Sequence, residues 1–192
     1  MICHLIRHGK DDDSVRGGWS ASPLTDTGVA QVERLAAQIA SDSTADIGMI
    51  FTSDLVRARQ TADILSAKLH IPVREMPAFR EANNGELAGM SNTVAAEQYP
   101  GLYWNMLEWD QPYPGGESPH DFFDRIQNAW YVFRTDIRQL DCDVILVTHG
   151  GVIQVIRCIE NGIPYSNKEK PYPIGHVEML DIEMVADSLP KH

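Results

Sequence analysis

The sequence predicts an α/β protein, a three-layer α/β/α sandwich around a mostly parallel, mixed sheet. Three observations lead there. Two short apolar runs, Ile2-Cys3-His4-Leu5-Ile6 and Val144-Ile145-Leu146-Val147, close on Arg7-His8-Gly9 and Thr148-His149-Gly150-Gly151, the pattern of strands buried on both faces. Segments of helical periodicity alternate with strand-like ones. The resulting βαβαβ…αβαβ order calls for a sheet covered on both faces by helices. The 192 residues, 43% hydrophobic and 22% charged, fit one domain spanning residues 1–192 with a sizeable core.

Each element has its own signal. After the first strand, Lys10 to Pro23 is a polar, glycine-containing loop. Val29, Val32, Leu35, Ala36 and Ile39 then recur at helical spacing, with Thr25 as the expected N-cap. Ile47 to Phe51 reads as a second strand ending at Thr52-Ser53, and Ala58, Ala62, Leu65 and Leu69 line one face of a second helix. Pro72 to Phe79 is expected as a third strand, its proline at the tolerated first position. The alternation breaks from Glu81 to Glu117, and an inserted lid or cap is expected at about residues 82–117. That stretch holds a short helical piece near Thr93 to Tyr99, then an aromatic, proline-punctuated segment with Trp104, Trp109 and Tyr113. Ser118-Pro119-His120-Asp121 reads as a capped helix start, followed by Phe122, Ile126, Ala129, Trp130, Phe133, Ile137 and Leu140 at helical spacing. The second glycine-ended strand runs into a helix from about Gly151 to Glu160, and Val177 to Ile182 alternates as a last strand.

Composition narrows the function classes. A formal charge of −11 argues against nucleic acid, which requires a basic footprint. It also repels anionic substrates at long range, so any phosphate site must be a local cationic island. The longest apolar runs are too short for a membrane span. Cys3, Cys142 and Cys158 have no metal-type spacing and read as reduced thiols, and no signal-peptide pattern precedes the first strand. A cytoplasmic protein is expected, and a homodimer is compatible with the sequence.

The two His-Gly strand ends carry the chemistry. Ligands bind open α/β sheets at the carboxyl ends of strands. His8 suits a phosphoryl-accepting nucleophile, since a neutral imidazole is nucleophilic near pH 7. Arg7 stands beside it, and Gly9 is expected to let backbone approach a bound oxyanion closely. His149 supplies a second imidazole, and the helix opened by Gly150-Gly151 offers N–H donors to phosphate. Arg57 falls in the first helical turn after the second strand, placed to grip phosphate with a bidentate fork, whereas Arg59 faces elsewhere.

These residues, with Pro23-Leu24-Thr25, Gly28, Ser53 through Ala62, Arg80-Glu81, Gly85-Glu86, Gly89, Pro114-Gly115-Gly116-Glu117-Ser118 and Thr148 through Ile153, stand in the order and spacing of a known family. The chain resembles the histidine phosphatase superfamily, the phosphoglycerate-mutase-like fold. The resemblance implies a mixed sheet of about six strands with one antiparallel strand, assigned to the Val177–Ile182 region. It implies that His8 takes the phosphoryl group as a phosphohistidine. Arg7, Arg57 and His149 would hold the oxygens, with Gly150 at the phosphate, and Glu81 would act as acid and then base. Glu86 is the competing carboxylate. No metal or other cofactor is implied, because a loose phosphoryl-transfer transition state needs positioning and positive charge above all.

The departures concern the substrate. Where the family carries an acidic or amide residue, a threonine and then an asparagine, this chain has Lys10-Asp11-Asp12-Asp13-Ser14. The aspartate run reads as a solvated acidic loop; engagement of a cationic substrate group or chelation of a divalent ion are the alternatives. Leu87 replaces the usual aromatic after Gly85-Glu86, read as altered packing. Ser14, Arg16, Trp109, Tyr113 and His176 are the candidate substrate rim. The leading expectation is a phosphomonoesterase acting on a small phosphorylated metabolite. The runners-up are a bisphosphoglycerate-dependent phosphoglycerate mutase and a protein-directed or phosphohistidine phosphatase.

Overall fold

Five strands, β1 (Ile2–Arg7), β2 (Ile47–Thr52), β3 (Val73–Glu75), β4 (Asp143–Thr148) and β5 (Val177–Asp181), form one sheet in the order β3-β2-β4-β1-β5. The computed structural model describes residues 1–42, 46–169 and 177–182. β1, β2, β3 and β4 are parallel, and β5 runs antiparallel to β1, as expected for that segment. The count is five among the described residues, one fewer than the six that the resemblance implies. The third strand is also shorter than expected. It ends at Glu75, and Pro77–Phe79 forms a 3-10 turn instead. Proline cannot donate to the ladder, and the turn carries Phe79 fully into the core.

The helices are α1 (Asp26–Ser41), α2 (Val56–Leu69), α3 (Asn92–Gln98), α4 (Pro119–Ile137) and α5 (Gly150–Glu160). Strand alternation divides the core between two sides. Ile6, Ile50, Ile145 and Val147 pack with Val32 and Ala36 of α1 and Ala58, Ala62 and Leu65 of α2. Cys3, Leu5, Phe51, Val144 and Leu146 pack with Phe122, Ile126, Trp130 and Phe133 of α4 and Val152, Ile153 and Ile156 of α5. This is the three-layer sandwich. Phe133 receives edge-to-face contacts from Phe51 at 4.9 Å and Phe79 at 5.3 Å, and each such buried ring contributes about 1.5–3 kcal/mol. All three cysteines are free. Among the described residues no helix is long and apolar enough to cross a membrane.

Two caps begin the helices where the sequence predicts. The Thr25 hydroxyl accepts from the Gly28 N–H at 3.1 Å. Ser118 and Asp121 form a reciprocal capping box at the start of α4. Between residues 82 and 117, Leu87, Leu107 and Tyr113 form a small separate cluster, so leucine fills the position where the family carries an aromatic. Gly85 adopts φ 53°, and a Cβ there would lie 2.1 Å from the Pro114 carbonyl oxygen, so glycine is required for this close crossing.

The register of the sheet positions the site. β1 and β4 pair in step, Ile6 opposite Val147 and Arg7 opposite Thr148. The ladder continues one step further, with the His8 N–H donating to the Thr148 carbonyl at 3.0 Å. On the other side of β4, the Ser53 N–H donates to the Val147 carbonyl at 3.0 Å. Three strand ends therefore deliver His8, His149 and Ser53 to one edge.

Candidate active site

His8 follows β1 and is only 3% exposed. Its Nδ1 lies 2.8 Å from the Gly9 carbonyl oxygen, which can only accept, so Nδ1 carries the proton. Nε2 is then the lone-pair nitrogen, and it accepts from Arg57 Nε at 3.2 Å. Burial, the Arg57 guanidinium and Arg7 push the His8 pKa well below the ordinary imidazole value, against the opposing bond to Gly9. The ring is neutral and tautomerically defined.

His149 is the N-cap residue of α5, immediately after β4, and is fully buried. Its ring centroid stands 5.1 Å from that of His8. Nε2 pairs with the Ser53 hydroxyl at 2.9 Å, while Nδ1 has no protein partner among the described residues. Burial first, then Arg57, His8 and Arg7, lowers its pKa well below the usual range. Gly150, buried, opens α5 beside it.

Arg57 lies in the first turn of α2, 2% exposed. One terminal nitrogen donates to the Gly18 carbonyl at 2.7 Å, and the other reaches the Ser20 carbonyl and hydroxyl at 3.4 Å. Thr61 ties the region together, donating to the Arg57 carbonyl at 2.8 Å and accepting the Gly9 N–H at 3.1 Å. Gly9 has a packing role. Its N–H is taken by Thr61, and a Cβ there would meet the Gly28 carbonyl at 2.7 Å, so the glycine serves the packing of the strand end on α1. Arg7 is half-buried at the end of β1; burial lowers its pKa, opposed by Glu81 and Asp11.

Glu81 approaches from the other side. Its carboxylate accepts the Ala82 N–H at 3.1 Å and the Gly151 N–H at 3.2 Å. A Cβ on Gly151 would fall 2.5 Å from Glu81 Oε1, so the second glycine of the motif makes room for this carboxylate. The Glu81 carbonyl accepts from Trp19 Nε1 at 2.7 Å and from Arg125 at 3.1 Å. Arg125 also bonds the Ala78 and Arg80 carbonyls and pairs with Glu117, whose carboxylate accepts the Asn83 N–H at 2.8 Å. Thr148 adds a bond to the Phe79 carbonyl at 2.9 Å. Arg80 pairs with Asp54 rather than Glu81. Glu86 is exposed and accepts from the Tyr99 hydroxyl at 2.6 Å, away from the histidines' hydrogen-bond network.

A cavity of about 390 Å³ opens at Glu81 and Gly151, lined further by Arg16, Gly18, Tyr103, Trp104, Tyr113 and Gln154. Of the expected rim, Arg16 and Tyr113 line it, with the Arg16 guanidinium 4.1 Å above the Tyr103 ring. Two expected rim residues do not. Ser14 is exposed, its carbonyl accepting from the Asn92 N–H at the start of α3. Trp109 is 39% exposed and stacks on His120 at 5.2 Å. His176 lies outside the described residues. The aspartate run is not uniformly solvated either. Asp12 and Asp13 are exposed, but Asp11 turns inward, with Oδ2 3.3 Å from Arg57 Nε. Ser53, Trp19, Thr61, Arg125 and the inward Asp11 are the residues that sequence reasoning missed.

Residues 3–184 match the histidine phosphatase superfamily (branch 1). The chain is 30% identical over 158 residues to the uncharacterized phosphatase PhoE of Bacillus subtilis, covering 81% of this chain and 74% of that one. It is 32% identical over 131 residues to a 2,3-bisphosphoglycerate-dependent phosphoglycerate mutase of Methylocella silvestris, covering 64% and 63%. Among solved structures, the α-ribazole phosphatase of Shigella flexneri superposes with a TM-score of 0.78 at 24% identity, covering 94% of this chain and 90% of that one. The mycobacterial glucosyl-3-phosphoglycerate phosphatase gives 0.77 at 24% identity, covering 96% and 94%. These two likenesses concern the fold.

Proposed function

The chain belongs to the histidine phosphatase superfamily, branch 1, and from that premise we propose that it hydrolyses small phosphomonoesters through a phosphohistidine on His8. The observation that carries the reading is the His8 tautomer. A ring proton committed to the Gly9 carbonyl leaves Nε2 as a nucleophile facing Arg57.

In the first step the Nε2 lone pair attacks phosphorus, the ester P–O bond breaks, and the departing oxygen takes the proton of the Glu81 carboxyl. In the second, water attacks the phosphorus, gives a proton back to the Glu81 carboxylate, and the P–N bond breaks to release phosphate and neutral His8. Arg7, Arg57 and His149 hold the equatorial oxygens, where charge spreads in a loose transition state. The cavity beyond Glu81 receives the leaving group. Its size, with a nucleophile only 3% exposed, favours a small metabolite over a phosphorylated protein.

The test is His8→Ala, assayed on an aryl phosphate and a metabolite panel with phosphoglycerate mutase activity measured in parallel. Hydrolysis should fall by about 1000-fold or more. Substantial residual turnover by the variant would remove His8 as nucleophile, and mutase activity in the wild type would favour the mutase reading. Turnover should also persist in excess chelator.

A further inference from the structure

We infer that Asp11 is the resident occupant of the phosphate site, a specificity residue whose carboxylate is ion-paired with the Arg57 guanidinium that an incoming phosphoryl oxygen must claim. The inference rests on the phosphatase reading for the role of Arg57 as an oxygen ligand.

Each nitrogen of the Arg57 guanidinium has a partner. Its terminal nitrogens go to Gly18 and Ser20, its Nε–H donates to His8 Nε2 at 3.2 Å, and the Asp11 carboxylate forms an ion pair with Oδ2 3.3 Å from the same nitrogen. Of these partners only Asp11 carries negative charge, and a carboxylate presents oxygens to a guanidinium much as a phosphoryl group does. Arg57 is buried, so an anion reaches its Nε only by displacing what is there. The cavity agrees: its wall includes Glu81 and Gly18 but neither His8 nor Arg57.

Asp11 is held there by its backbone. It forms an isolated antiparallel bridge with Leu24, and the neighbouring Lys10 carbonyl accepts from both the N–H and the hydroxyl of Thr25. A side-chain rotation alone can therefore vacate the site, with the loop left in place. The contact is also one that an anion would meet as repulsion until the carboxylate moves or loses its charge.

The charged groups facing Asp11 are Arg57 on α2, Arg7 on β1 and Asp12 in its own loop. Burial outweighs the two arginines and raises its pKa above the usual carboxylate value. As pH falls, Asp11 loses charge earlier than an ordinary aspartate and releases Arg57, while His8, with its lowered pKa, stays neutral and nucleophilic. Competition for the phosphate site therefore weakens toward acid. At neutral pH the returning carboxylate also helps expel product phosphate.

A residue that merely positioned Arg57 would behave in the opposite way, because its loss would weaken phosphate binding. The experiment is calorimetric titration of inorganic phosphate into the intact wild type, Asp11→Asn and Asp11→Ser, at about pH 7.5 and about pH 5, with thermal unfolding as the check of folding. Both variants should bind phosphate about tenfold tighter than wild type at the higher pH. The gap should narrow at the lower, because burial raises the wild-type Asp11 pKa above the usual carboxylate value and its charge is lost earlier as pH falls. The inhibition constant of phosphate against aryl phosphate hydrolysis should fall by the same factor. Adding Arg57→Ala to Asp11→Asn should erase the gain. Unchanged or weaker phosphate binding by the variants overturns the inference. Binding needs no turnover, so this failure is separable: a His8→Ala variant that still hydrolyses phosphate esters defeats the mechanism, not the Asp11 assignment.

Discussion

At the scale of single residues, the site pairs an imidazole with a defined proton and a carboxylate held by backbone. Both Glu81 oxygens accept main-chain N–H groups, and its own carbonyl is fixed by Trp19 and Arg125. Glu81 stands at the cavity beside Gly151 and is the acid we propose, whereas the exposed Glu86 bonds Tyr99. Glu81→Gln should therefore lower kcat on alkyl phosphates by about 100-fold or more. Aryl phosphates, whose leaving groups need little protonation, should lose less than about tenfold. Steady-state kinetics on a matched alkyl and aryl pair checks this, and equal losses on both would assign the acid elsewhere. The placement of His8, Arg7, Arg57 and His149 was legible because each ends or follows a strand or opens a helix, so position along the chain translates directly into position at the sheet edge. Asp11 was not legible. Three identical neighbours offer no sequence signal for which one turns inward, and the choice is made by a backbone bridge to Leu24.

At the scale of elements, α4 holds the loop that carries Glu81. It begins at the Ser118–Asp121 capping box and presents Arg125 two turns later to three carbonyls between Ala78 and Glu81. Ser118→Ala should cost about 1 kcal/mol of stability, read from denaturant unfolding. A loss near zero would mean that the box adds nothing to this helix start. Arg125 escaped notice because its partners are main-chain groups on a separate segment, which no helical period encodes. Most elements were legible from periodicity and caps. The third strand was legible in place but not in length, because Pro77 removes a ladder donor and the chain turns there instead of extending to Phe79.

At the scale of the whole molecule, the proposed function requires a chain of formal charge −11 to attract an anionic substrate to the buried Arg57 and half-buried Arg7. Long-range repulsion and local attraction oppose each other, and salt screens the first more than the second because the arginines are buried. For a dianionic substrate kcat/KM should rise about two- to fivefold between about 10 mM and 150 mM ionic strength. A fall over that range would mean that the local cations govern the encounter. Stopped-flow or steady-state rates at fixed pH provide the check.

The in-step pairing of β1 with β4 has a consequence for how such a protein diversifies. Arg7 opposite Thr148 makes the spacing of the two imidazoles a property of the main-chain ladder, independent of any side chain around it. The walls that meet the leaving group come largely from elsewhere, from the loop after β1 and from the stretch between residues 82 and 117. Changes in those walls can therefore leave the two-histidine spacing in place. The same ladder is intolerant of insertions: one residue added to either strand end would shift an imidazole by about 3.3 Å, more than a hydrogen bond allows.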